Sequence, residues 1–287
     1  MSPLRSVLAI QPGQPASDGA GVRLNRVIGG GGIERFDPFL MLDEFASDDP
    51  DDPDDYIAGF PPHPHRGFET ITYMLEGRMR HEDHLGNVGL LQSGGVQWMT
   101  AARGIIHSEM PEQEQGVMRG FQLWLTLPGK DKLGDPGYRD IPASEIPRLT
   151  TASGVEVVVI AGQFDDGEVQ QSGAVQRPHT EPQLFDLRLP AGSQIAPRLP
   201  DGHRAMLYVY AGTLELPGAS AQAVPAGRLV RLSEHGELHL GSRDGARLLL
   251  IAGKPLAEPI VQYGPFVMNT REEIEQALRD FREGVLA

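Results

Sequence analysis

Residues 68–111 read FETITYMLEGRMRHEDHLGNVGLLQSGGVQWMTAARGIIHSEMP. Runs rich in β-branched and aromatic residues, at Thr70 to Leu75, Val88 to Leu91, Val96 to Thr100 and Ile105 to Met110, alternate with turn residues at Gly77, Leu85-Gly86-Asn87, Gly94-Gly95 and Arg103-Gly104. Punctuation recurring about every eight to ten residues is the rhythm of an antiparallel sandwich or barrel. Phe121 to Leu127 adds a further strand. The Pro-, Gly- and charge-rich stretch Pro128 to Pro147 reads as a connector at a domain boundary.

Outward from this block the same character persists. The 287-residue chain carries 35 Gly and 24 Pro, dispersed among short apolar runs, with 40% hydrophobic and 22% charged residues. An all-β globular chain of one large or two small domains follows. Ala205 to Gly212 lines up with Thr70 to Gly77, and Ala226-Gly227 with Leu229 to Leu232 falls where Gly94-Gly95 and Val96 to Met99 lie, so two related β-domains in tandem are expected. Their boundaries are set at 1–135 and 136–287. Near the C-terminus the period changes: Ile274, Ala277, Leu278 and Phe281 have helical spacing, Thr270 and Glu273 form a capping box and Gly284 stops the run, predicting a helix over about 271–283.

Net charge of −14 disfavours direct binding to nucleic acid or an anionic membrane surface. The absence of cysteine excludes disulfides, thiolate metal sites and thiol nucleophiles. No run approaches the length of a membrane span, and Val7 to Ile10 is too short for a signal-peptide core, so a cytoplasmic protein is expected. The acidic stretch Asp43 to Asp55 lacks the spacing of an EF-hand and reads as a solvated loop.

Five of the nine histidines lie between His63 and His107, and two pairs have strand spacing, His63-x-His65 and His107-x-Glu109. On an extended strand residues i and i+2 share a face, so two such strands can converge four donors on one point inside a barrel. Three imidazoles and one carboxylate suit a divalent first-row metal and leave open positions for water, substrate or dioxygen. His81 and His84, with Glu82 and Asp83 between them, put charge on both faces of their strand, and an exposed strand is the reading taken over a second metal site. Phe60, Trp98, Met99 and Met110 are candidates for an apolar wall around the metal.

Pro62-His63-Pro64-His65-Arg66-Gly67-Phe68-Glu69-Thr70, the Gly86-Asn87 turn, Gln97-Trp98-Met99-Thr100-Ala101 and Gly104-Ile105-Ile106-His107-Ser108-Glu109-Met110-Pro111 closely resemble the signature of the pirin family of bicupins. Asp37 to Glu44 and Gly264 to Thr270 resemble further pirin segments. The resemblance implies two cupin (jelly-roll) β-barrels packed face to face with a short C-terminal α-helix, and a single metal in the N-terminal cupin. That metal is expected to be Fe(II), with Ni, Cu, Mn or Zn as alternatives, held by His63, His65, His107 and Glu109. In the second half Gly241 stands where Glu109 has its counterpart, and Arg198 and Pro200 stand where paired histidines would be, so that barrel is expected to be metal-free. His179, His203 and His235 are isolated.

Some pirin-like proteins show quercetin 2,3-dioxygenase activity, so the resemblance implies flavonol ring cleavage with a small aromatic substrate and Glu109 as catalytic base. A second reading, also implied by the resemblance, is a non-catalytic iron protein that binds a transcription factor or metabolic enzyme in a redox-dependent way, with Asp43 to Asp55 facing the partner. A third is a cupin isomerase or hydrolase.

Overall fold

The computed structural model describes residues 3–29, 35–47, 59–112, 117–217 and 222–287. The strands that frame the candidate site are β1 (Val7–Pro12), β2 (Gln14–Asp18), β3 (Val22–Ile28), β4 (Phe39–Ser47), β5 (Phe60–His65), β6 (Phe68–Glu76), β7 (Arg78–Asp83), β8 (Val88–Gln92), β9 (Val96–Thr100), β10 (Ile105–Pro111), β11 (Met118–Thr126) and β12 (Gly137–Ile141). Among the described residues one α-helix, α1 (Arg271–Arg282), lies near the C-terminus.

Two compact units result, and neither is contiguous. One comprises Gln14–Ala143 with Leu256–Ala287, the other Met1–Gly13 with Ser144–Pro255. The blocks 1–135 and 136–287 expected from the sequence are therefore replaced by units that exchange their ends. The cause is long-range strand pairing: β1 joins Arg228–Leu232 antiparallel, with Ile10 opposite Val230. The helix, assigned from the sequence to the second domain, packs on the C-terminal strands Val261–Tyr263 and Phe266–Met268 and belongs to the first unit.

In the first unit a seven-stranded antiparallel sheet, in the order β12-β9-β6-β11-β4-β3-β2, packs on a four-stranded one, β5-β10-β7-β8. Met79 and Leu91 of the smaller sheet meet Val22, Leu24, Phe45, Met74 and Met118 of the larger. Each such buried side chain contributes about 1.5–3 kcal/mol. Alternation sets the inward faces, Gly89 and Leu91 inside and Val88 and Leu90 outside on β8. The stretch read as a connector contributes β12, whose Tyr138 pairs in register with Met99 of β9. Asp43 and Glu44, placed in a solvated loop by the sequence reading, lie in β4, and Asp43 is buried against Arg26 at 2.8 Å. Residues 48–55 of that acidic stretch lie outside the described residues.

The second unit is built on a ten-stranded sheet. Its apolar core buries Val157, Phe185, Leu207, Val209, Leu248 and Leu250 together. His239 is exposed beside Glu237 at 3.3 Å, and Arg198 is exposed as well. His203 is buried and approaches Glu181 at 3.4 Å, while His235 lies exposed by Asp201.

The helix fulfils its capping signature. The Thr270 side chain accepts from the Glu273 N–H at 3.2 Å, and Glu273 Oε2 accepts from the Thr270 N–H at 2.9 Å.

Candidate metal centre

The two histidine-bearing strands are neighbours. β10 pairs antiparallel with β5, placing His107 opposite His63 and Ile105 opposite His65. Because i and i+2 share a face, three imidazoles converge, with ring centroids separated by 4.4 Å (His63–His107), 4.6 Å (His63–His65) and 4.9 Å (His65–His107). One nitrogen from each lies within 4.8 Å of the other two. His65 and His107 are buried and His63 is partly open to a cavity.

Hydrogen bonds fix the presentation of His63. Its Nδ1 lies 2.8 Å from the Pro61 carbonyl oxygen. A carbonyl only accepts, so Nδ1 carries the proton and Nε2 is left as a bare lone pair. That Nε2 sits 2.9 Å from Nε2 of His65. Two nitrogens each about 2.1 Å from a shared ion can lie at most about 4.2 Å apart, and this pair meets that limit. His107 Nε2 is buried with no hydrogen-bond partner, which is costly unless something occupies its lone pair. Burial and the neighbouring His63 hold His65 well below the usual histidine range, against a weak opposing effect of the Pro265 backbone. Burial, then His65, His63 and His81, do the same for His107. Neutral imidazoles are the form that binds a metal. The spacing of the three histidines, the orphaned nitrogen of His107 and the neutral form that burial favours in His65 and His107 fit a divalent cation.

Glu109 follows on the same inward face of β10, after a register shift relative to β5 that sets it opposite Phe60. It is fully buried, and it is not one of the groups brought within 4.8 Å in the histidine cluster. Its carboxylate reaches the other sheet: Oε1 accepts from Thr72 Oγ1 at 3.2 Å and Oε2 from Gln122 Nε2 at 2.9 Å. Thr72 and Gln122 are cross-strand partners on β6 and β11. The Gln122 amide is oriented in turn by Trp124 Nε1, which donates to its Oε1 at 3.3 Å. Among the described residues Glu109 has no ion-pair partner, so a buried carboxylate stands beside a cluster suited to a cation.

A cavity of about 890 Å³ opens onto His63 and His65 and is walled by Phe60, Met41, Trp124 and Arg26. Of the four apolar residues singled out in the sequence, only Phe60 lines it. Trp98 and Met99 are buried in the core and Met110 is exposed. The tryptophan of the wall is Trp124, 5.3 Å from His65 between ring centroids. Gln122, Trp124 and Thr72 escaped the sequence reading, although alternation along Phe121 to Leu127 puts Gln122 and Trp124 on one face. A second cavity, of about 630 Å³, lies in the other unit beside His239, Glu215 and Arg243, where no group of three metal donors converges among the described residues.

The exposed-strand reading of His81 to His84 is also corrected. β7 alternates strictly, with His81 and the Asp83 side chain inside and Arg80 and Glu82 outside. His84 lies in the following turn, where its Nδ1 accepts from the Ile106 N–H at 3.2 Å.

Residues 21–125 match the family model described as Pirin, and residues 184–287 the one described as the Pirin C-terminal cupin domain. The chain belongs to the pirin family. A Pseudomonas aeruginosa protein whose name carries a provisional quercetin 2,3-dioxygenase assignment is 70% identical to this pirin over 287 residues, covering 100% of both chains. The crystal structure of a quercetin 2,3-dioxygenase from Acinetobacter baumannii superposes with a TM-score of 0.86 at 29% identity, covering 99% of each chain. A bacterial pirin from Escherichia coli, solved in complex with nickel(II), shares the fold with a TM-score of 0.64 at 18% identity, covering 86% of this chain and 98% of that one. The two cupin domains expected from the resemblance are thereby shown. Among the described residues no helix is long and apolar enough to cross a membrane.

Proposed function

We propose that this pirin is a metal-dependent dioxygenase of the quercetin 2,3-dioxygenase type, cleaving a flavonol or a similar planar hydroxylated aromatic with O2. The observation that carries the reading is the convergence of His63, His65 and His107, with Glu109 two residues on from His107 on the same strand face, where an aromatic-walled cavity opens onto His63 and His65. The relatives from Pseudomonas and Acinetobacter support the same reaction class.

His63, His65 and His107 would hold the metal, with Glu109 as fourth ligand once one of its oxygens leaves its present hydrogen bond. When bound, the metal supplies Lewis acidity toward the substrate oxygen and the redox partner for O2. Fe(II) is the ion proposed, and the nickel(II) of the Escherichia coli pirin marks a workable substitute.

Every other task falls to the protein. Phe60 and Trp124 offer aromatic surface against which flat rings pack. Glu109 takes the proton of the substrate hydroxyl, the general-base step that creates the electron-rich enolate O2 attacks. Whichever of Gln122 and Thr72 keeps its hydrogen bond holds the carboxylate in place while it does so.

The test is quercetin-dependent oxygen consumption by protein purified anaerobically and loaded with Fe(II), set against His63→Ala and His107→Ala. Uptake that requires flavonol, iron and both histidines is the expected result. No uptake by verified iron-loaded wild-type protein would refute the quercetinase assignment and favour the regulatory reading.

A further inference from the structure

His81 lies directly behind His107, away from the cavity. Its Nδ1 is 3.3 Å from Nδ1 of His107, and its Nε2 is 3.5 Å from Oδ2 of Asp83. Its ring is fully buried and stacks on Tyr138 with centroids 4.3 Å apart and planes 21° from parallel. Asp83 is itself pinned: Oδ1 accepts from the Leu85 and Asn87 N–H groups at 3.0 Å each, and Oδ2 from Asn87 Nδ2 at 2.7 Å. The row Asp83, His81, His107 therefore has fixed donors and acceptors at its outer end.

That end dictates the rest. A carboxylate held by three N–H groups is an acceptor, so a singly protonated His81 puts its hydrogen on Nε2, facing Asp83, and leaves Nδ1 bare. Two bare nitrogens cannot face each other 3.3 Å apart without repulsion, so His107 supplies the hydrogen from its own Nδ1. Its Nε2 is then a lone pair directed into the cluster with His63 and His65. Neither His107 Nε2 nor His81 Nε2 makes a hydrogen bond, so Asp83, 3.5 Å from His81, acts as a charge that favours a facing hydrogen, and the opposite tautomer would bury a His107 Nε2 hydrogen with no acceptor. It would also turn a lone pair of His81 toward Asp83.

We infer that His81 is a positioning residue for the metal centre, which fixes His107 in the Nδ1–H tautomer and so presents its Nε2 to the ion. The inference deepens the reading given under Proposed function and rests on it for the ion, whereas the tautomer is a property of the metal-free protein. His81 itself is not a ligand, because its Nδ1 faces His107 and its Nε2 faces Asp83. Outer partners of this kind typically alter metal affinity about ten- to a hundredfold when removed.

The experiment has two readouts, neither of them turnover. Long-range nitrogen–proton NMR of the metal-free protein reports which nitrogen of His107 carries hydrogen, and titration with nickel(II) reports affinity. Wild type is expected to show the hydrogen on Nδ1. His81→Phe keeps the stack on Tyr138 but cannot accept, and should move the hydrogen toward Nε2 and weaken nickel(II) binding about ten- to a hundredfold. His81→Asn, whose Oδ1 replaces the ring Nδ1 as acceptor, should restore both in large part, a rescue that a purely space-filling role would not produce. Hydrogen on Nε2 in wild type overturns the inference, and so does nickel(II) affinity within twofold of wild type in His81→Phe. If His81→Phe does not fold, the wild-type tautomer and the His81→Asn titration still decide it. A wild type that shows the expected tautomer yet takes up no nickel(II) refutes the metal reading instead.

Discussion

Glu109 carries the sharpest residue-level consequence. A buried carboxylate held by Gln122 and Thr72, with no ion pair among the described residues, is suited to accept a proton from a hydroxyl brought next to it. Glu109→Gln conserves volume and removes the base, so Fe(II)-loaded protein should lose at least about a hundredfold in kcat for flavonol-dependent oxygen uptake, the lower end of general-base contributions. Metal content measured on the same sample separates this from ligand loss, and an unchanged kcat would contradict the role. Lys132 offers a second test, through pH. It is buried with a single bond from Nζ to the Val267 carbonyl at 3.0 Å, and burial pushes its pKa down from 10.5 to about 8, despite Glu258 and Glu273. The unfolded chain therefore binds more protons between these values. The resulting penalty, on the order of 3 kcal/mol, is fully present below about pH 8 and fades as the pH rises to about 10.5. Denaturant unfolding should show wild type gaining on Lys132→Met across that window, and a constant difference would contradict it. At this scale the sequence displayed His63, His65 and His107 through spacing alone. Gln122 and Thr72 were invisible because they meet Glu109 only when two sheets close on each other.

Among elements, β7 is the instructive one. Arg80, His81, Glu82 and Asp83 are all polar, so no hydrophobic alternation marks an inner face, and the strand reads as exposed. Beyond Met79 its inner face is polar because it backs the histidine cluster, with His81 facing His107 and Asp83. β5 and β10 were legible because their donors repeat at the strand period, while their adjacency is a fact of pairing. The turn between β5 and β6 is held just as tightly. Gly67 has a φ of +90°, and a Cβ there would fall 1.9 Å from the Val267 carbonyl oxygen. Gly67→Ala should cost about 2 kcal/mol or more in unfolding free energy. A change below about 0.5 kcal/mol, the range of ordinary surface substitutions, would contradict that geometry.

Across the molecule, sequence similarity between the halves revealed two domains but could not show where the ends go, since that depends on partners more than 200 residues away. The last strands and α1 complete the unit that holds the histidines. Arg66, next to His65, bonds Asp280 Oδ2 at 2.7 Å, the Leu286 carbonyl at 3.1 Å and the Arg103 carbonyl. Removing residues 271–287 takes away two of these three partners of a buried guanidinium. It should lower the unfolding midpoint of the histidine-bearing unit and weaken nickel(II) binding at least about tenfold, the scale of outer-partner effects on metal sites. Unchanged affinity in a folded truncation would show that the tail is not needed to brace β5.

The central claim is that one cluster, His63, His65 and His107, holds the metal. Anaerobic equilibrium dialysis against Fe(II), with metal counted per chain, tests it most directly. The account predicts one tightly held iron per wild-type chain and none in His63→Ala, His107→Ala double-variant protein that remains folded. An iron retained by that variant, or a wild type that holds none, would contradict it.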